Sequence, residues 1–358
     1  MNKGSKNSEK MENPLNLPLV SIIILNYNGG EMFLNCLRSV LKTEYPSYEV
    51  VVVDNGSTDG SIDVAEQMFS RVRCIKNNRN LGFCVGNNMG IKETRGEYIV
   101  LLNNDTVVSQ NWLIKLMEEV IKIGTGFFNP KILLMDNPKI IDSVGNNLQL
   151  AGFGLPRGLG EIDKGQYNRV EEVAYANGTC LLVARNVIEK IGMLDPVFFA
   201  YNEDVDWCWR GRMFGIKSYY VSSAVVYHKW GASWGRVNKK KFYFLERNRI
   251  ITILKNYSKR SLILLIPILL LVEISILFYA FKCGWLAEKM NAYSDSIKLM
   301  NYIKKQRNFL QQNRKISDKE VIEIFRDRID HLFVSNSATE ILNHMLEFFA
   351  RIMRPWIR

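Results

Sequence analysis

Tyr98-Ile-Val-Leu-Leu-Asn-Asn-Asp105-Thr-Val-Val108 decides how this chain is read. Tyr98 to Leu102 is apolar at nearly every position, the mark of a strand buried on both faces in the middle of a parallel sheet. The run then stops in Asn103-Asn104-Asp105, at the carboxyl end of the strand, where open α/β sheets bind their ligands. A carboxylate there is costly unless compensated, and a divalent cation carrying a phosphorylated ligand is one good compensator. Taken alone, the triplet reads sooner as an Asx-rich turn capping the helix that starts near Ser109. The rest of the chain reverses that order.

Leu19-Val-Ser-Ile-Ile-Ile-Leu25 is a second buried strand and ends in Asn26-Tyr27-Asn28-Gly29-Gly30. Glu49-Val-Val-Val-Val53 is a third, ending in Asp54-Asn55-Gly56-Ser57. Between them, Phe33, Leu34, Leu37, Val40 and Leu41 carry a helical period that stops before Pro46. A helix over Ile62–Phe69, a short strand at Val72–Ile75, a loop from Asn77 to Phe83 and a helix from about Trp112 to Ile123 complete this half. Such alternation predicts a doubly wound, mainly parallel α/β sheet. Strand ends on one edge converge on one crevice, so Asp54, Asn80 and Asp105 are expected to meet around a shared ligand. Neither G-x-G-x-x-G nor G-K-[ST] occurs, which disfavours dehydrogenases and P-loop nucleotidases.

The second half is less regular. Asp142–Tyr167 is rich in glycine and predicts loops and short antiparallel strands; Val173–Val183 predicts one strand and Asn186–Ile191 a short helix. Glu203-Asp204-Val-Asp206 lies among aromatic and aliphatic residues. On a helix these acids do not share a face, so one or two at most point into a cleft. They read as dipole-favoured capping, or as carboxyls whose proton affinity is raised by an apolar frame, which suits a general base. Lys217–Val221 and Ala224–Tyr227 predict two strands, the latter delivering His228 to a strand end, a place that suits a metal ligand, followed by Lys229-Trp-Gly-Ala-Ser233.

Composition sets bounds on partners. With 47% hydrophobic and 11% aromatic residues, the 358-residue chain has ample material for a core. Its six scattered cysteines form no C-x-x-C pair and the polar N-terminus has no apolar signal core, so reduced thiols and a cytoplasmic setting are expected. The net charge of +11 is concentrated: Lys229 to Arg260 holds ten Lys/Arg against Glu246 alone. A partner at that end would be anionic lipid or a diphosphate; nucleic acid is disfavoured, because no recognised motif accompanies the charge.

Taken in order, Val20–Asn28, Val53–Gly60, Asn78–Gly90, Leu102–Asp105, Arg157–Asp163, Glu203–Asp206 and Val226–His228 resemble the family 2 inverting glycosyltransferases of GT-A fold, in particular the rhamnosyltransferase-like branch. The resemblance covers residues 19 to about 260. It implies transfer of a sugar from a nucleoside diphosphate donor with inversion at the anomeric carbon, dTDP-rhamnose first and a UDP-sugar second. By the same resemblance Asn26, Tyr27 and Asn28 would line the base pocket and Asp54 would meet the imide edge of uracil or thymine. Asn55, Asn80, Gly82, Phe83, Asn88 and Asn104 would pack on the nucleotide sugar. Asp105 and His228 would hold Mg²⁺ or Mn²⁺, Asn103 standing where the family has its first acid. Asp204, with Glu203 beside it, would be the catalytic base. Arg247 or Arg249 is expected to contact a diphosphate, or else to form a solvated basic face near lipid.

The expected layout is an unstructured lead over 1–18, a nucleotide-sugar-binding half over 19–125, an acceptor and catalytic half with a smaller antiparallel region over 126–260, and a helical membrane-associated extension over 261–358. Leu262–Phe281 is long enough to span a bilayer. Glu273 near its middle would cost about 2.5–3.5 kcal/mol there, Pro267 interrupts it and both flanks are basic, which favours a segment that is embedded without crossing or packed on the C-terminal helix. Ile341–Met353 with Arg351, Arg354 and Arg358 predicts a basic amphipathic helix in the interface. A lipid-linked or surface-glycan acceptor at the cytoplasmic face of the membrane, bound peripherally or monotopically, fits this pattern. Self-association is left open. The competing classes are a catalytically inactive nucleotide-sugar-binding membrane scaffold and a lipid- or nucleic-acid-binding protein.

Overall fold

The computed structural model describes residues 17–229, 238–330 and 337–358; the expected lead up to Asn16 and the Trp230–Ser233 stretch lie outside them. The strands are β1 (Val20–Asn26), β2 (Tyr48–Asp54), β3 (Val72–Lys76), β4 (Tyr98–Asn103), β5 (Thr106–Val108) and β6 (Gly126–Leu134). They continue with β7 (Asn137–Ser143), β8 (Asn146–Leu148), β9 (Gly154–Pro156), β10 (Glu171–Val173), β11 (Cys180–Ala184) and β12 (Lys217–His228). The main sheet runs β10-β12-β6-β11-β4-β1-β2-β3, with β5 on β12 and β7 on β6. Along this path β3, β2, β1, β4, β6 and β12 point one way, while β11 and β10 oppose them. The architecture is therefore α/β with a mainly parallel sheet, as the alternation of elements predicts, and it has the layout that the resemblance to the GT-A fold implies.

The pleat explains the layering. Ile22, Ile24, Val50, Val52, Val100 and Leu102 face one core; Ile23, Val51, Val53, Ile99 and Leu101 face the other. Residues on alternate positions of a strand point to opposite faces, so continuous apolar runs demand a helical layer on each side. The first layer is α1 (Gly30–Val40), α2 (Ser61–Met68) and, after α3 (Gly82–Glu93), α4 (Trp112–Ile123). Each Val, Ile or Leu so buried contributes about 1.5–3 kcal/mol. The second layer holds α3 with α5 (Arg185–Ile191) and α6 (Glu203–Met213).

Three local readings are corrected. Val173–Val183 is two strands, because Asn177 turns the chain between β10 and β11 by accepting the Thr179 N–H through its side chain at 2.8 Å. The two strands expected over Lys217–Tyr227 are one, β12, with an irregularity between Val221 and Val225. The run over Leu262–Phe281 breaks at Leu265 into α8 (Lys259–Leu264) and α9 (Ile266–Lys282), following α7 (Lys239–Asn256). Pro267 falls in the first turn of α9, where its missing N–H costs nothing. Among the described residues no helix is long and apolar enough to cross a membrane. The C-terminal region is completed by α10 (Leu286–Lys298), α11 (Met300–Asn313), α12 (Asp318–Ile322) and α13 (Ser337–Met353), which packs on α9.

Candidate functional site

In register, Asn26 of β1 lies beside Asp54 of β2, and Leu25 beside Asn103 of β4. The parallel strands thus end together, and Asn103-Asn104-Asp105 turns from β4 into β5. There β5 pairs with the end of β12, Thr106 against His228, and Lys229 N–H donates to the Asp105 carbonyl at 2.9 Å. These backbone bonds hold Asp105 Oδ1 3.4 Å from His228 Nε2. The other ring nitrogen, Nδ1, lies 2.6 Å from Asp142 Oδ2 on β7. Burial lowers the proton affinity of His228, but Asp105 and Asp142 outweigh it and the net is a rise to about 10. Asp142 carries no signal in the sequence: only the pairing of β7 with β6, next to β12, brings it to the ring.

The opposite wall is the start of α6. Tyr201 and Asn202 both adopt left-handed φ, 70° and 69°, which non-glycine residues rarely do. Asn248 of α7 holds them there, its Nδ2 donating to the carbonyls of Ala200 at 2.8 Å and Tyr201 at 2.7 Å. This hairpin entry aims the first turn of α6 at the cavity. Asp204 accepts the Gly178 N–H at 2.9 Å, and Gly178 belongs to the same loop as Thr179, whose carbonyl accepts the Asn103 N–H at 3.0 Å. Two short links therefore tie Asp204 to the end of β4. Burial raises the proton affinity of both Asp204 and Glu203, and for Glu203 the neighbouring Asp204 charge adds to it. Glu203 Oε2 is buried without a hydrogen-bond partner among the described residues. Asp206 faces away, towards Arg210, Lys255 and Asn256.

Asp204, Glu203, Asp105, His228 and Asp142 open on one cavity of about 1580 Å³. Tyr27, Asn28, Asn55, Asn80, Gly82, Phe83 and Asn104 line it as well. Asn26 and Asp54 lie beneath that wall: the Asp54 carboxylate accepts from Asn26 Nδ2 at 3.0 Å and from Ser57 N and Oγ at 2.9 and 2.6 Å. Asn88 is a brace, donating to the Leu194 carbonyl at 2.7 Å. Arg249 reaches the cavity, but its guanidinium is paired with Glu246 at 2.8 Å and Glu273 at 2.5 Å. Arg247 lies outside the lining, donating to the Val197 carbonyl and stacked over Phe244. The net-neutral group of Arg249, Lys289, Glu246 and Glu273 explains how a carboxylate sits in an apolar run. Burial raises the Glu273 pKa, yet Arg249 and Lys289 bring it down to about 2.

Gly82 sits at φ +81°, and an added Cβ would lie 2.6 Å from the Phe199 carbonyl oxygen. That oxygen already accepts the Phe83 N–H. Gly82→Ala is expected to destabilise the chain by about 1–3 kcal/mol in urea unfolding, since both strain and close backbone approach oppose it.

As to a metal, among the described residues no three His, Cys, Asp or Glu side chains form a complete cage. Asp105 and His228 nonetheless stand side by side as a carboxylate and, once a cation takes the place of the Nε2 proton, an imidazole, while Asp142 fixes the ring from behind. The Asp105 carboxylate fits Mg²⁺ or Mn²⁺ provided a ligand brings further oxygens, and the imidazole donor suits the transition metal of the two.

Residues 21–192 match the family model described as glycosyl transferase family 2. Glycosyltransferase GlyG of Streptococcus pneumoniae serotype 4 is 32% identical over 105 residues, 28% of this chain and 35% of GlyG. The chain thus aligns with about a third of that relative's own length. GalNAc-T7, solved with UDP, GalNAc and Mn²⁺, shares the fold at a TM-score of 0.56 and 18% identity, over 68% of this chain and 49% of its own. S. aureus TarS 1–349, solved with UDP, does so at 0.53 and 16% identity, over 86% and 89%. At such identities the likeness to both structures is one of fold.

Proposed function

We infer that this chain, carrying a glycosyltransferase family 2 domain, moves a sugar with inversion from a nucleoside diphosphate donor to an acceptor hydroxyl. One observation carries this: Asp204, the Asp105–His228 pair and the Asn and aromatic residues of the strand ends all line the same cavity. A sugar hydroxyl is a poor nucleophile, so Asp204 takes its proton as the oxygen bonds to the anomeric carbon from the face opposite the diphosphate. The bond to the diphosphate breaks as the new one forms, and nucleoside diphosphate leaves. Tyr27, Asn28 and Asn55 present a polar and aromatic surface for the base, and Phe83 with Phe199 excludes water beside them. Asp105 and His228 would hold Mg²⁺ or Mn²⁺, which supplies charge neutralisation for the departing diphosphate. The donor we favour is dTDP-rhamnose, then a UDP-sugar; the acceptor is a lipid-linked or surface glycan at the cytoplasmic face of a membrane.

A thermal-shift panel of dTDP, UDP and GDP with Mn²⁺ tests the donor side. Ligand at a hundredfold its dissociation constant adds about 2.7 kcal/mol of stability. dTDP and UDP are expected to raise the melting temperature more than GDP; no response to any of them would remove the donor site. The pH profile tests the base. Because burial raises the Asp204 pKa, kcat/KM should fall on acidification through a limb centred above the ordinary Asp value of about 3.9. Nucleotide binding with no donor cleavage at any pH would favour the inactive scaffold, the reading that Asn103 in place of an acid supports.

A further inference from the structure

The cavity has two ends of different chemistry. Beyond Asp204 it is walled by Phe242 and Leu245 of α7, Val272, Ile276 and Tyr279 of α9, and Leu342 of α13. Lys240, Lys241 and Lys282 stand along the same arm. At its mouth α9 turns a stripe of apolar residues to solvent: Ile266, Leu270, Ile274, Phe278 and Phe281, of which Phe278 is 69% exposed. Their spacing of three and four puts them on one helical face. On α13, Ile341, Met345, Phe348 and Ile352 make a second exposed stripe. Isolated apolar side chains on a surface need no explanation, but two exposed apolar stripes on neighbouring helices that also line a cavity mark a contact surface.

We propose that this arm seats the hydrocarbon chain of an acceptor lipid whose phosphate or diphosphate joins chain to sugar, taken from a bilayer on which the stripes of α9 and α13 rest. The inference rests on the glycosyl-transfer reading and names the acceptor class for it. Complementarity commits the occupant. The walls past Asp204 are largely apolar, which a free sugar does not require; Arg249 and Glu246 there neutralise each other, and Lys240, Lys241 and Lys282 leave the arm a positive balance, which suits a phosphate. Lys259 and Arg260 just before α9, and Arg351 and Arg358 at the end of the chain, are exposed and would meet an anionic surface. The arm is held open from behind: Glu273 of α9 is fixed to Arg249 of α7 and Lys289 of α10, so the wall is preset.

The test uses the full chain with a benzophenone-tagged farnesyl diphosphate in vesicles of phosphatidylcholine and anionic phosphatidylglycerol, beside tagged farnesol and tagged phosphatidylcholine. Labelling of α7 inside the arm is expected from the diphosphate probe, weakly from farnesol and not from the phospholipid, which should reach only the exposed stripes of α9 and α13. Leu245→Trp, a half-exposed position that tolerates substitution, should cut the α7 labelling about tenfold by filling the arm. Phe278→Glu should abolish co-flotation with vesicles. Equal labelling of α7 by all three probes, or α7 labelling unmoved by Leu245→Trp, overturns the proposal; so does a dimer in sedimentation that buries both stripes and gives no α7 labelling. UDP-induced stabilisation, measured on the same samples, separates the two readings. If it persists without α7 labelling, the acceptor site fails alone; if it is absent while α7 labelling persists, the donor reading fails instead.

Discussion

Asp204→Asn is expected to lower sugar transfer by roughly 10²–10⁴, the range that a positioned general base contributes. Asparagine keeps the shape of the side chain and can still accept the Gly178 N–H, so the first turn of α6 and the loop over Asn177–Thr179 keep their places. What it loses is the ability to take the proton of the acceptor hydroxyl. Nucleotide binding, read by thermal shift, should persist, because the residues given to the base lie on the other wall. The comparison that decides is Glu203→Gln. Glu203 also lines the cavity and its carboxyl is held towards the neutral form by burial and then by Asp204. Losing it should cost far less, since a protonated acid is no base. Rates that fall in the reverse order would move the catalytic role to Glu203, and rates that fall in neither would end the assignment.

How much of this was readable beforehand follows from the range of the interactions. Asn103-Asn104-Asp105, Asn26 to Asn28 and Asp54-Asn55 were legible, because a buried strand that ends in polar residues carries both signals within ten positions. Helical spacing separates Asp204 from Asp206, but which of them faces the cavity came from the resemblance and not from the spacing. Asp142 was not legible: its meeting with His228 depends on sheet order. Nor was the division between wall and support, in which Tyr27 and Asn28 face the cavity while Asn26 and Asp54 satisfy each other below it. Local pattern marks a polar strand end, but which of its side chains stays free is settled by neighbours from other strands. The same holds for the basic segment of α7. Its charge suggests an anionic ligand, yet Arg249 meets Glu246 within the helix and Glu273 from α9, and Lys255 is consumed by acids of the catalytic half.

Lys255→Met should cost about 3–5 kcal/mol of stability, the price of leaving a buried carboxylate unpaired. Lys255 is 1% exposed, with Nζ 2.5 Å from Asp195 Oδ2 and 2.8 Å from Asp206 Oδ1. Arg210 and Asn256 also hold Asp206, and the Tyr302 hydroxyl donates to Asp195 at 2.6 Å, so the cluster has one cation for each acid. Burial raises the Asp195 pKa, but Lys255 outweighs it and the net is a fall. That folded-state value lies below the unfolded one, so the pair stabilises above about pH 4 and the benefit fades as acid protonates Asp195. In the methionine variant the sign reverses: the unpaired acid is pushed up, takes a proton more readily than in the unfolded chain, and the deficit should shrink from pH 8 to about pH 5. Urea unfolding at both pH values measures this, and adding Asp195→Asn should recover more than half of the loss. Asp206 lies two residues after Asp204 on the same helix, so loosening it should also reduce kcat with little change in nucleotide-induced stabilisation. A loss that is independent of pH would mean that packing of the lysine stem, and not its charge, holds α6 against α7.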